Sequence, residues 1–341
     1  MITTDERWII EGREKMMEGL SQSQLQQFEQ EGYLKLDALL DPVKDLDPII
    51  AEYDGVLDSL AHKLYEDGKI QSTYSDLPFG ERVIRIYDDT GELHAQYFDF
   101  ALPQGNVKHD TPMWVGPAVF RAITNSRLLD KVQSVIGSEI YSNPVQHVRI
   151  KPPERFIGSE TNSVAGLVGV TSWHQDNGVV LPVADASNIL TVWFSITDAT
   201  EEQGCLQVIP GSHKEGLFAH CPGGPGGLEI PEQLLDRARA IPVPTKRGDV
   251  LFLNKRTCHN SLSNVSNNIR WSFDLRYNPI GQNTGREEFP GFVARSLKNP
   301  ESELKDPKQW AHLWYETRKR LADDRIRGPF NRWKADAPVC A

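Results

Sequence analysis

No stretch of the chain is long and apolar enough for a membrane helix, which needs roughly 18 consecutive apolar residues, so no membrane partner is expected. A basic surplus is also missing. The net charge is −10, whereas nucleic-acid binders carry an excess of Lys and Arg, so no nucleic-acid partner is expected. Cysteine is scarce: Cys205, Cys221, Cys258 and Cys340 are irregularly spaced and form no C-x-x-C pair. In a chain of 341 residues this argues against a disulfide framework and for a reducing, cytoplasmic compartment. The opening Met1-Ile2-Thr3-Thr4-Asp5-Glu6 lacks the basic and apolar regions of a secretory signal. The final Val339-Cys340-Ala341 matches no peroxisomal or ER-retention tail. Without a signal peptide, the sequon Asn264-Val265-Ser266 reads as polar loop. Repeats and low-complexity tracts are absent too.

What remains is the composition of a globular domain, 39% hydrophobic and 25% charged. We expect a single domain over 1–341, of α+β class. Residues 1–140 read as mainly helical, 141–280 as a jelly-roll core, and 281–341 as a C-terminal helical extension. Ser21 and Gln24 form a capping box, and Gly32 supplies the stop. The short run Tyr33-Leu34-Lys35-Leu36 alternates like a strand. Leu46, Ile49, Ile50, Tyr53, Val56, Leu57, Leu60 and Leu64 keep a three-four spacing, which predicts a long helix ending near Gly68. A second helix is predicted from Ala118 to Ile136, and a last one from Asp306 to Asp324. Between them lie eight short strand candidates: 145–151, 169–174, 189–196, 205–209, 241–244, 249–254, 257–262 and 271–277. Eight short strands punctuated by turns suggest two sheets of a jelly roll. Two insertions, 152–165 and the Gly-rich 214–240, read as loops beside the barrel mouth that could serve as lids.

The chemistry-bearing segment is Trp173-His174-Gln175-Asp176. In extended chain, residues two apart face the same way, so His174 and Asp176 can aim an imidazole and a carboxylate at one point. Two His and one carboxylate on one face of an octahedron hold Fe(II) in non-haem oxygenases and leave three positions open. Among nine histidines, His259 is the candidate second imidazole, carried by the apolar run Asp249–Leu253 and a turn. Arg270, eleven residues on, opens the next strand. Its planar fork suits a carboxylate such as the distal one of 2-oxoglutarate. H-x-D alone is a weak signal; with a distal His and that Arg it is a strong one. His213-Lys214-Glu215 has the same spacing but follows a turn, so His213 reads as a structural residue. Arg276 shares parity with Arg270. It could meet an anionic substrate, but pairing with Asp274 or Glu287 at the surface is the preferred reading.

Several segments in order resemble the phytanoyl-CoA dioxygenase family. They are Leu20–Leu34, Val148–Pro153, Trp173–Asp176, Leu190–Asp198, Gly204–Lys214, Gly248–Phe252 and His259-Asn260-Ser261 through Arg270. The resemblance covers most of the chain. It implies a double-stranded β-helix of cupin-like type flanked by helices, and an Fe(II)- and 2-oxoglutarate-dependent dioxygenase. Such an enzyme consumes O2, releases succinate and CO2, and oxidises an unactivated C–H bond of a small-molecule substrate. On this resemblance His174, Asp176 and His259 match the iron ligands, and Arg270 the salt-bridge partner of 2-oxoglutarate. Ser261 matches a hydroxyl on the same carboxylate, and Trp193 a tryptophan lining that pocket, or else barrel core. Gln146 and Lys151, on the first barrel strand, stand where a side chain faces the site, the core or the surface. Related halogenases replace the carboxylate ligand by a small residue; Asp176 is present, which favours hydroxylation or a related oxidation. The alternatives are a cupin-type metalloenzyme that does not use 2-oxoglutarate, and a non-catalytic binding protein on the same fold.

Overall fold

The computed structural model describes residues 18–156, 170–223, 227–324 and 332–340. Local signals in the N-terminal part translate directly into structure. Ser21 caps α1 (Gln22–Glu31): its hydroxyl accepts from the Gln24 amide at 3.2 Å, and the Gln24 side chain accepts from the Ser21 amide at 2.9 Å. Gly32, at φ 76°, ends the helix and leads into β1 (Tyr33–Leu36). α2 (Asp47–Glu66) buries Ile49, Tyr53, Val56, Leu57, Leu60 and Leu64, the apolar stripe seen in the sequence. α3 (Phe79–Thr90) buries Phe79, Val83, Ile86 and Tyr87 and was not anticipated; neither was the single turn α4 (Ala95–Phe98).

The helix expected over Ala118–Ile136 is two helices, α5 (Pro117–Ile123) and α6 (Ser126–Ile136). The break has a local cause. Asn125 leaves helical geometry (φ −58°, ψ 122°), and its side chain accepts from the Leu128 amide, so it caps a new helix instead of continuing the old one.

The strands are β2 (Glu139–Lys151), β3 (Leu190–Ser195), β4 (Leu206–Val208), β5 (Cys221–Pro222), β6 (Leu228–Glu229), β7 (Ile241–Val243), β8 (Val250–Asn254), β9 (His259–Ser261), β10 (Arg270–Pro279) and β11 (Phe292–Ser296). A six-stranded sheet runs β1-β8-β3-β10-β2-β11, a three-stranded one runs β7-β4-β9, and every pairing is antiparallel. This is the expected jelly roll. Strand alternation gives the large sheet two apolar faces. Val192, Phe194, Phe252, Phe273 and Ile150 join the core beneath the helices. Trp193, Leu251 and Leu253 face Leu206, Val208 and Val243 across the barrel. α7 (Pro307–Asp323), capped by Asp306, closes the helical layer with Trp310 and Trp314 fully buried.

Two expectations are corrected, and one gains a structural detail. The strand expected over 169–174 does not form in its described part; only His174 bridges to another strand. Residue 169 and most of the 152–165 insertion lie outside the described residues. Asn264 is in loop, as expected, between β9 and β10. It is buried, and its amide donates to Lys151 O and Asn268 O, fixing the turn before β10. Cys221 and Cys340 are joined in a disulfide, Cα to Cα 5.5 Å, against the expectation of none. Their separation of 119 residues leaves no spacing signal in the sequence.

That link ties the 214–240 insertion to residues 332–340, which pack beside the loop following Asp176. Arg332 pairs with Asp185 at 2.7 Å, Trp333 donates its indole N–H to Gly178 O at 2.6 Å, and the indole stacks on His220. Cys340→Ser is expected to weaken this attachment by about 2–4 kcal/mol. Amide exchange should then accelerate in 332–340 and around Cys221, with β8 and β10 unchanged; unaltered protection of the tail would show that the non-covalent contacts suffice.

Candidate active site

His174 and His259 come from distant segments and meet as backbone partners. The amide of each donates to the carbonyl of the other at 3.0 Å, an isolated antiparallel bridge. Directly opposed residues in such a pair put their side chains on the same side, and the two imidazole centroids lie 4.2 Å apart. Each ring is oriented the same way. His174 Nδ1 bonds Ser172 O at 2.8 Å and His259 Nδ1 bonds Thr257 O at 2.9 Å, so both Nε2 atoms turn inward as lone-pair donors. Gln175 is extended (φ −115°, ψ 137°), which returns Asp176 to the face of His174 although no regular strand forms there. Asp176 Oδ1 lies 3.8 Å from His174 Nε2 and 4.0 Å from His259 Nε2. The three donor atoms lie within 4.8 Å of one another, and all three residues are buried.

The charge states suit ligation. Burial pulls His174 well below the usual imidazole range, and His259 adds to this, so the ring is neutral. Burial works against ionising Asp176, but Arg276, with help from His259 and His174, holds its carboxyl below the ordinary carboxylate range. Arg276 corrects an expectation. It is buried, not at the surface, and its Nη2 donates to Asp176 Oδ1 while Nη1 donates to Val145 O at 2.8 Å. Its pairing with Asp274, at 3.5 Å, is as expected; Glu287 instead accepts from the Thr284 and Gly285 amides. The Thr191 hydroxyl donates to the other oxygen, Asp176 Oδ2. A carboxylate has about four acceptor positions, so two such bonds fix its orientation and leave lone pairs for a metal.

The residue between the two ligands was overlooked in the sequence. Gln175 points away from the site and is fully buried. Its amide nitrogen donates to Gly216 O and Arg256 O, its oxygen accepts from the Phe218 amide, and its backbone N–H donates to His220 Nε2. It thereby ties the insertion and the turn before His259 to the H-x-D segment. His220 packs so closely under Gly178 that a Cβ there would lie 2.2 Å from the ring, which explains that glycine. His213 stands apart from the three donors, its Nε2 meeting Glu29 O at 3.1 Å.

The other end of the same cavity is cationic. Arg149, Thr171, His174, Thr191, Trp193, His259, Arg270 and Asp274 all line it. Arg270 is 1% exposed, lies over the Trp193 ring at 5.7 Å, and donates to Ser272 Oγ at 2.5 Å. Among the described residues no carboxylate lies within ion-pair distance of it, and its Nε has no partner. Burial, reinforced by Arg149, pushes this guanidinium down to about 9. Ser261 pairs with Leu206, which lines the cavity, and accepts a hydrogen bond from Lys151. Gln146 is buried but does not line the cavity; it lies where the β2–β10 register shifts, between the pairs Asn143–Arg276 and His147–Asp274.

Comparison with known proteins agrees with this arrangement. A rat phytanoyl-CoA dioxygenase domain-containing protein 1 is 28% identical over 273 residues, 74% of this chain and 88% of the relative. Ectoine dioxygenase of Bordetella bronchiseptica is 23% identical over 288 residues, 80% of each chain. The apo structure of the non-heme monooxygenase ThoJ superposes with a TM-score of 0.52 at 17% identity, covering 87% of this chain and 96% of that one, a likeness of fold. The family profile that matches is phytanoyl-CoA dioxygenase (PhyH), over residues 28–272, a span that takes in the jelly roll from β1 to Arg270 and all three metal-donor side chains. The chain therefore belongs to the phytanoyl-CoA dioxygenase family.

Proposed function

We propose that His174, Asp176 and His259 hold the ferrous ion of this family's 2-oxoglutarate-dependent dioxygenase chemistry, that Arg270 seats the distal carboxylate of 2-oxoglutarate, and that the substrate is a small molecule. The observation that carries the reading is that the cavity lined by His174 and His259, with the Asp176 carboxylate within 4.0 Å of both imidazoles, also holds a buried guanidinium with no carboxylate at ion-pair distance among the described residues. A buried unpaired charge costs several kcal/mol, and an anionic ligand removes that cost.

The donor set fits iron. Two imidazoles and one carboxylate make a set that leaves positions for a chelating 2-oxo acid and O2. When bound, the metal would supply oxidative decarboxylation of 2-oxoglutarate, giving succinate and CO2, and the oxidation of a substrate C–H bond. The protein supplies the rest. Ser172 O and Thr257 O hold the imidazoles, while Arg276 and Thr191 hold the carboxylate. Trp193 walls the cavity beside Arg270, and the buried surroundings limit water. Asp176 keeps the position that halogenases leave open, which favours hydroxylation or a related oxidation. No described helix is long and apolar enough to cross a membrane. We take the enzyme to be cytoplasmic, where the Cys221–Cys340 link would exchange with cellular thiols.

His174→Ala is expected to abolish stoichiometric Fe(II) binding in anaerobic calorimetry, with far-UV circular dichroism unchanged; wild-type binding in the variant would remove His174 from the ligand set. Arg270→Leu should raise the 2-oxoglutarate concentration for half-maximal succinate release roughly 10- to 100-fold, the equivalent of about 1.5–3 kcal/mol for hydrogen bonds to a charged group. An unchanged requirement would mean that another cation seats the co-substrate.

A further inference from the structure

A second groove lies on the outside of the barrel, against the outer face of the small sheet. Along β4, Leu206 and Val208 point into the barrel, so Gln207 between them points out. Its register partner on β9 is Asn260, which lies between His259 and Ser261 and faces the opposite way from both. Beside β9, Thr171 O accepts from the Ser261 amide, and His174 pairs with His259. Two residues, Ser172 and Trp173, therefore stand against Asn260 alone. That two-against-one count is a β-bulge, a device that re-aims side chains beside functional sites. The 214–240 insertion folds back over this outer face. The Ile230 amide donates to Trp173 O at 2.7 Å, and Leu234, Leu235 and Ala240 pack on the cluster that contains Trp173 and Ile230.

Between sheet and insertion remains a groove of about 620 Å³, with Trp173, Gln207 and Asn260 on the sheet side and Glu229 and Ile230 on the insertion side. A cleft of that volume holds a small organic molecule. Two polar groups in it lack partners. The Asn260 side-chain amide makes no hydrogen bond with a described residue, although the residue is 9% exposed and its Oδ1 is buried. Buried polar atoms are nearly always paired, so an exception calls for a partner from outside the chain. Glu229 is half-buried, and its carboxylate has no ion-pair or hydrogen-bond partner among the described residues. Its neighbour Glu232, by contrast, is paired with Arg237 at 2.6 Å. An ionised carboxylate only accepts hydrogen bonds, so Glu229 and the Asn260 oxygen together ask for a donor of positive charge. Ile230, and Val170 at the rim, add apolar surface beside them.

We propose that this groove is a second ligand site, one that takes a small primary ammonium compound with a short apolar body. The ammonium donates to Glu229 and to Asn260 Oδ1, and the apolar body lies against Ile230 and Val170. Its occupant is not the molecule oxidised at the metal-donor site, because the small sheet stands between them. Asn260 borders both cavities, so the two are one residue apart but on opposite faces. The occupant also bears on the bulge whose Ser172 O holds His174 Nδ1 at 2.8 Å. The inference needs neither the metal nor 2-oxoglutarate and stands apart from the function proposed above.

The probe is 2-phenylethylamine. It is compared with 2-phenylethanol, which has the shape without the charge, and with its N,N,N-trimethyl derivative, which has the charge without an N–H. Dissociation constants are measured by calorimetry on the full chain, first without metal and then with Mn(II) and 2-oxoglutarate present. The amine is expected to bind saturably and roughly 10-fold tighter than either analogue, the scale of a hydrogen bond to a charged group. Glu229→Gln should weaken the amine by roughly 10-fold and leave 2-phenylethanol unchanged, with the far-UV circular dichroism of the wild type. Equal affinity for the amine and either analogue, no saturable binding of the amine, or an unchanged constant in Glu229→Gln overturns the proposal. So does displacement of the amine by Mn(II) and 2-oxoglutarate, which would put it in the catalytic cavity. The metal-free titration keeps the result separate from the iron assignment, whose failure would leave the amine constants as they are.

Discussion

The site depends on one backbone contact, the reciprocal amide–carbonyl pairing of His174 with His259. Two hydrogen bonds between main-chain atoms put both imidazoles on one side of the barrel, and no side-chain interaction is needed to bring them together. Everything else refines that placement. Carbonyls two residues upstream fix the ring orientation, and an extended Gln175 swings Asp176 back to the same side. Because the contact is made by main-chain atoms, it tolerates changes in the neighbouring side chains. It does require that β9 and the segment before Asp176 stay in register. Gln175 enforces this register from behind, tying three separate loops together through buried hydrogen bonds.

Buried charge in this protein falls into two kinds, and the difference between them is informative. Arg276 is compensated within the fold: it pairs with Asp176 and Asp274, and its Nη1 donates to Val145 O. Arg270 and Lys151 are not compensated. They sit side by side, surrounded by hydroxyls, carbonyls and an indole face. The first kind gives the metal-donor carboxylate a fixed orientation and keeps it ionised. The second leaves the folded chain short of negative charge at one end of a cavity, a deficit that a dianionic co-substrate would fill. Counting arginines in the sequence could not separate the two kinds, because the distinction lies in which carboxylates the fold brings within reach.

Legibility in the sequence followed the range of the physics. Signals confined to a few residues read through: the Ser21–Gln24 box, the Gly32 stop, the α2 stripe and the same-face placement of His174 and Asp176. The last of these held even though the strand assumed for it does not form, since extended geometry at Gln175 alone sets the parity. The break at Asn125 was hidden because the apolar spacing runs on through it, while a single side-chain cap redirects the chain. α3 was legible in principle from Phe79, Val83, Ile86 and Tyr87, but Pro78 and Gly80 disguised its start. Beyond His259, which the scarcity of histidines singled out, partners distant in sequence could not be read. Arg276 with Asp176, Lys151 with Ser261, and Cys221 with Cys340 become neighbours only once the two sheets close.

The covalent tie between the insertion and the C-terminal segment has a practical consequence. Ferrous enzymes are commonly kept active with a reductant, and reductants differ in what they attack. A dithiol that keeps iron reduced would also open Cys221–Cys340, freeing the strip that holds Trp333 against His220, one hydrogen bond away from Gln175. Ascorbate would spare the bond. Preparations handled in these two ways would be different molecules beside the catalytic loop, and rates measured on one should not be pooled with rates measured on the other.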